Sequence, residues 1–378
     1  VERRRWVTDG RRAQMLAWTI GVVIFIESNI TVLVAGSICR PLFDRFRVSR
    51  EKLAYLIDST SAPVCILIPF NAWGAYILSL LAGLGVENAV PVLIATIPLN
   101  FYALTALLLA GVSAWRGLDI GPMAAAQERT AAGELHWEHT VAIADPEELA
   151  PPPREGIPLR PVNMILPIAS MVLMMPRAMY ITGDGDLMAG SGSVSVLWAV
   201  LTGIGVASVL SLGQKLLSLE ELGTVGVRGA GGLTGMALVL LLALTLGAVT
   251  QELGTGEYVA GIVGDRVPLF LLIPLVFLVA AGIAFATGSS WGTFAIMVPI
   301  AVPIGAALGL PITPFVAASL SGGVFGDHCS PISDTTIISS LASASDHIEH
   351  VRTQLPYALA AGSVAAVGYS LVGVWLSV

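Results

Sequence analysis

Eleven residues, Gly326-Asp327-His328-Cys329-Ser330-Pro331-Ile332-Ser333-Asp334-Thr335-Thr336, sit between apolar runs at 314–325 and 337–341. In a soluble protein such a stretch would be ordinary. This chain, however, is 55% hydrophobic and only 12% charged, with a mean hydropathy of +0.81. Soluble domains carry about 25% charged residues, so the composition describes a polytopic membrane protein. At bilayer depth, carboxylates and a histidine are costly unless they pair or bind something. Gly322, Gly323, Gly326 and Pro331 predict a helix broken in this region. A broken helix frees backbone carbonyls, and carbonyls beside carboxylates suit a hard cation. Asp327 and Asp334 share a face if the backbone between them is helical.

The remaining apolar runs predict an all-α fold with about 9–11 membrane segments, several broken or re-entrant. We divide the chain into a basic segment at 1–14, a first transmembrane repeat at 15–113 and an acidic, Pro-rich soluble loop at 114–161. Connecting transmembrane and interfacial helices follow at 162–232, then a second transmembrane repeat at 233–378. The start, Val1-Glu2-Arg3-Arg4-Arg5, suggests a trimmed N-terminus. Five basic residues precede the span expected at 15–38 and five follow it, so the positive-inside rule gives it no orientation. Much of the net charge of −7 comes from the loop, which holds eight acids. Cys39, Cys65 and Cys329 lie in or beside apolar segments and read as small buried residues, not a disulfide framework. Basic residues are few and form no aromatic–basic patch, which excludes nucleic acid as a partner. Membrane lipid is the expected partner, and a homodimer stays open.

Other polar groups interrupt the apolar runs. Glu27-Ser28-Asn29 falls near the middle of the 15–38 span and reads as a carboxylate facing a polar interior. Asp58-Ser59-Thr60-Ser61-Ala62-Pro63 breaks the segment 53–82, which reads as a broken helix or hairpin. Arg177 either snorkels or pairs with an intramembrane acid. His136 and His139, beside Glu134 and Glu138, read as an exposed polar face rather than a metal site. The run Asp346–His350 reads as an interfacial loop.

The polar breaks recur in order. Thr31 and Thr293, and Pro41 and Pro303, are separated by one offset of 262 residues. Ser61-Ala62-Pro63 matches Cys329-Ser330-Pro331 at an offset of 268. Paired interrupted segments of this kind point to the binding site of a secondary transporter.

The stretch 326–336, followed by Asp346-His347-Ile348-Glu349-His350-Val351-Arg352-Thr353-Gln354-Leu355-Pro356-Tyr357-Ala358, resembles the signature of the NhaC family of sodium/proton antiporters. Arg40-Pro41-Leu42, Ser49-Arg50-Glu51-Lys52-Leu53-Ala54-Tyr55 and residues 58–63 resemble first-half motifs of that family. The resemblance covers most of the chain outside the acidic loop. It departs at Glu27-Ser28, where many relatives carry two aspartates. It implies a multi-pass protein of the bacterial inner membrane that exchanges Na⁺, with Li⁺ as a second cation, for H⁺. The family also includes exchangers of small organic anions such as malate and lactate, which leaves organic anions or amino acids as the alternative cargo.

Na⁺ favours oxygen ligands. Asp327, Asp334 and Asp58 are the expected Na⁺ carboxylates, with Glu27 nearby. Ser330, Ser333, Thr336, Ser61, Thr60 and Asn29 offer neutral oxygens. A carboxylate able to hold either a proton or a cation, combined with alternating access, gives antiport without a cofactor. Asp58 and Asp334 also have a purely structural reading, as caps of half-helices. His328 reads equally as a proton relay or a hydrogen-bonded strut. An intramembrane hydrolase using Cys329 and His328 is disfavoured, because adjacent residues point to different sides of a helix. A passive channel would not need a site that switches between proton and cation.

Overall fold

The structure is a computed structural model. It describes residues 7–25, 27–69, 71–137, 160–187, 190–232 and 267–377, with scattered positions between 233 and 266. Expected segments at 233–249 and 253–267 lie largely outside the described residues, as do His139 and most of the Pro-rich linker.

All described elements are helices. They are α1 (Gly10–Val23), α2 (Ser28–Arg45), α3 (Arg50–Ser59), α4 (Ala62–Leu67), α5 (Ala72–Gly83), α6 (Ala89–Thr96), α7 (Phe101–Arg116) and α8 (Pro122–Ala131). After the linker come α9 (Val162–Thr182), α10 (Gly192–Gly213), α11 (Leu219–Gly232), α12 (Leu269–Thr287), α13 (Ser290–Ala307), α14 (Thr313–Cys329), α15 (Asp334–Ser343) and α16 (His347–Leu376). Five helices among the described residues are long and apolar enough to cross a membrane, or seven if each of two bent pairs counts as one span. The bends, of 42° and 46°, fall between α4 and α5 and between α6 and α7. Helices α9 and α10 pack on each other and leave Leu173, Ile204 and Val209 outside, as lipid-facing helices do. Met175 and Met179 turn the other way, into the core, and Arg177 is exposed with no acidic partner among the described residues.

The expected 15–38 span is two helices. The chain breaks after Val23, and the Glu27 side chain caps α2 by accepting from the Ile30 amide at 2.9 Å. The second half repeats the device. After α12 closes on Gly288, which is held at φ +64° where glycine is favoured, the Ser289 hydroxyl caps α13 by accepting from the Gly292 amide. Helices α2 and α13 are both 18 residues long and lie 262 positions apart at each end, 28 to 290 and 45 to 307. Thr31 donates to the Glu27 carbonyl and Thr293 to the Ser289 carbonyl, both at 2.9 Å.

The glycines of the 326–336 region play a different part from the one their type suggests. Helix α14 runs unbroken through Gly322, Gly323 and Gly326, and the break comes later, at 330–333. A Cβ on Gly322 or Gly326 would collide with the carbonyl oxygens of Phe277 and Ala281 on α12. These glycines, four apart on one face, let two backbones touch.

The first part of the acidic loop is not a free solvent-exposed segment. Residues 117–137 dock on the first turn of α3. Glu51 takes a bidentate bond from Arg129, at 2.8 and 3.0 Å, and a third from the Trp137 indole. The Lys52 ammonium bonds Asp119 and the Leu118 carbonyl, both at 2.7 Å. Arg50 bonds Asp44, the Ala344 carbonyl and His136.

Candidate cation and proton site

The C-terminal ends of α3 and α14 meet inside the protein. Asp58, one residue before the end of α3, is fully buried. It caps nothing: α4 begins at Ala62 without a side-chain cap, and the Ser61 hydroxyl donates instead to the Asp58 carbonyl at 2.8 Å. Asp58 Oδ2 accepts from Gln354 Nε2 at 2.7 Å and from the Thr336 hydroxyl at 3.3 Å. His350 Nε2 lies 3.4 Å from the same oxygen. His328 Nε2 lies 3.0 Å from the Asp58 carbonyl and 3.8 Å from Oδ1. A carbonyl only accepts, so Nε2 carries a hydrogen. In the neutral ring Nδ1 is then the acceptor for the Tyr102 hydroxyl, 2.9 Å away. Thus α7, α14, α15 and α16 all converge on one carboxylate of the first half.

Asp327, on the last turn of α14, is also buried. Its Oδ2 accepts from Ser290, the first residue of α13, at 2.7 Å. Asp58 Oδ1 and Asp327 Oδ1 are buried with no hydrogen-bond donor. Asp334 opens α15, accepts from the Thr335 amide at 2.8 Å and is exposed at the helix surface. The cap of α15 is Ser333, which accepts from the Thr336 amide. Asp334 and Asp58 lie close enough to act electrostatically on Asp327, and Asp334 acts on Glu27. Four carboxylates therefore form a linked group, and none pairs with Lys or Arg among the described residues. The carboxylates of Asp327, Asp334 and Asp58 do not converge on one metal-like point there.

Of the candidate hydroxyls, Thr336 reaches the Asp58 carboxylate, while Ser330, Thr60 and Ser61 donate to backbone carbonyls. Ser330 donates to the Phe285 carbonyl at 2.8 Å and Thr60 to the Leu56 carbonyl at 2.7 Å. Asn29, in the first turn of α2, keeps a buried, unpartnered Oδ1. Sequence reasoning missed Tyr102, Ser290, His350 and Gln354. It assigned His350 to an interfacial loop, yet Asp346 caps α16 there and His350 is fully buried, while His347 bonds Ser340 and the Pro331 carbonyl. The spacing of His350 and Gln354, one helical turn apart, was the available signal.

The chain is similar in sequence to several known proteins. The chain is 34% identical to an uncharacterized protein of Haemophilus influenzae, over 96% of this chain and 72% of that one. It is 37% identical to the malate-2H⁺/Na⁺-lactate antiporter of Bacillus subtilis over 28% of this chain and 22% of the other. It is likewise 37% identical to the arginine/ornithine antiporter ArcD of Halobacterium salinarum over 27% of this chain and 21% of the other. Its structure resembles the Alcanivorax borkumensis YdaH transporter with a TM-score of 0.47 at 16% identity, over 97% of this chain and 85% of the other. The Na⁺/H⁺ antiporter family profile matches residues 64–374. The chain belongs to the Na⁺/H⁺ antiporter family and is a multi-pass transporter of the bacterial inner membrane, not an enzyme.

Proposed function

We propose that this protein exchanges Na⁺, and Li⁺ as a second cation, for H⁺ by alternating access, with Asp327 as the central carboxylate. Asp58, Asp334 and Glu27 set the field around it, and Ser290 orients it. One observation carries the reading: Asp327 and Asp58 are buried, each keeps an oxygen without a donor, and no Lys or Arg neutralises either among the described residues. A charged group in that position requires a counter-charge. A proton or a small cation supplies it by turns, and that competition is the exchange.

A negatively charged organic cargo fits less well. Among the described residues the two buried cations, Lys52 and Arg129, are already committed to Asp119 and Glu51. The names of the B. subtilis and H. salinarum relatives nevertheless make organic cargo the second reading. Purified protein in liposomes containing a pH-sensitive dye separates the two. Na⁺ or Li⁺ added outside is expected to move protons, whereas K⁺, malate, lactate and arginine are not. Proton movement driven by an organic solute and not by Na⁺ would replace this reading with the second.

A further inference from the structure

A small cavity lies beside the partners of Asp58. It is lined by Tyr55, Ser59, Tyr102, His328, Gln354 and Tyr357. About 10 Å³ is open to the centre of a water, which is room for one molecule. Two of the lining side chains carry buried polar atoms without a hydrogen-bond partner, Tyr55 Oη and Gln354 Oε1. Both residues are almost completely buried, at 2% and 1% exposure. The amide nitrogen of Gln354 is spent on Asp58 and on the His328 carbonyl, which leaves its oxygen for the cavity. Tyr102 donates its hydroxyl hydrogen to His328 Nδ1, so its oxygen is free to accept. Buried polar atoms are rarely left unpaired, and a buried water usually makes about three hydrogen bonds. Tyr55 offers a donor, Gln354 and Tyr102 offer acceptors, and the Ser59 hydroxyl lines the same space, so a water there has at least three partners.

We infer that this cavity is a binding site for one water molecule, and that the water joins Tyr55 and Gln354 to the Tyr102–His328–Asp58 chain as a proton-side route distinct from the Ser290–Asp327 side. The inference rests on the exchange reading above. It assigns Tyr55 and Tyr102 to proton delivery and gives them no contact with Na⁺. The route conserves protons: a proton arriving on the cavity water is passed to Tyr102 as Tyr102 gives its own hydrogen to His328 Nδ1, and His328 releases its Nε2 hydrogen towards Asp58 Oδ1, so the water, Tyr102 and His328 each keep their hydrogen count and Asp58 gains one.

Tyr55→Phe and Tyr102→Phe in liposomes test it, with two readouts on one preparation: Na⁺-driven proton movement, and exchange of labelled Na⁺ for Na⁺, which needs no proton. Losing the hydroxyl removes a member of the chain, so proton movement is expected to slow roughly tenfold or more. In Tyr55→Phe the Na⁺-for-Na⁺ exchange is expected to stay within about twofold, because no bond joins that hydroxyl to Asp327 or Asp58. The rate ratio between ordinary and heavy water is expected to change in Tyr55→Phe. Unchanged proton movement in both variants, or an equal fall in both readouts, overturns the route. If wild-type protein moves no protons on Na⁺ addition, the exchange reading falls, and this inference with it.

Discussion

The two polar breaks, at 24–27 and at 288–289, are built alike and charged differently. Each ends a helix, caps the next with a side chain three residues from the bonded amide, and launches an 18-residue helix with an internal proline. In the first break the cap is the carboxylate of Glu27, and in the second it is the hydroxyl of Ser289. The second half thereby leaves Ser290 free to bond Asp327. Its acids sit at the end of α14 and the start of α15, facing Asp58 from the first half. The backbone device is shared, and the chemistry comes from where each half places its acids.

The sharpest way to break this comparison is to neutralise its centre. Asp327→Asn is expected to lower Na⁺-driven proton movement in liposomes at least about 100-fold, since an amide can neither carry the charge that holds the cation nor take up and release the proton. The amount of inserted protein should not change, and wild-type-like exchange would remove Asp327 from the site. Packing gives the next test. Gly326→Ala meets a backbone carbonyl of α12 and is expected to destabilise the protein by about 1–3 kcal/mol. Gly21→Ala, at the matching α1–α3 contact, meets the Thr60 side chain and should cost less. Melting in detergent would show the order, and a reversed order would refute the account of α14. Making the two breaks alike comes third: Glu27→Ser keeps an acceptor for the Ile30 amide but removes a charge. Its apparent Na⁺ affinity should weaken about fivefold, the effect of about 1 kcal/mol from a charge without direct contact, with melting unchanged.

The smallest effect lies outside the membrane. Partial burial, Arg50 and Arg129 hold His136 below the usual histidine range. Glu51 and Asp44 oppose them. The folded protein thus resists protonation there more than the unfolded chain does. The stability this contributes is present above about pH 6.5 and is lost as pH falls through the lowered value. His136→Gln, whose amide oxygen still accepts from Arg50, should flatten the acid side of a melting-temperature profile. An unchanged profile would show that His136 makes no such contribution.

The breaks themselves were legible in the sequence, because polar residues at bilayer depth are too costly to interrupt an apolar run without a structural or chemical role. The 262-residue offset between Thr31 and Thr293 anticipated the shared capping geometry. The glycines of α14 were misread because glycine weakens a lone helix yet permits close contact between two, and composition cannot say which applies. His350 and Gln354 were missed because their partner, Asp58, lies nearly 300 residues away in the chain. The docking of 117–137 was hidden because its charges look solvated until their partners on α3 are known.

Those partners also bear on how the molecule moves. Glu51 and Lys52 are almost fully buried, and both are tied to the segment after α7. Pulling either pair apart would strand a charge at a cost of roughly 3–5 kcal/mol. The opening turn of α3 and residues 117–137 therefore share one mechanical fate, and any motion that tilted Asp58 would carry this segment along as a lever.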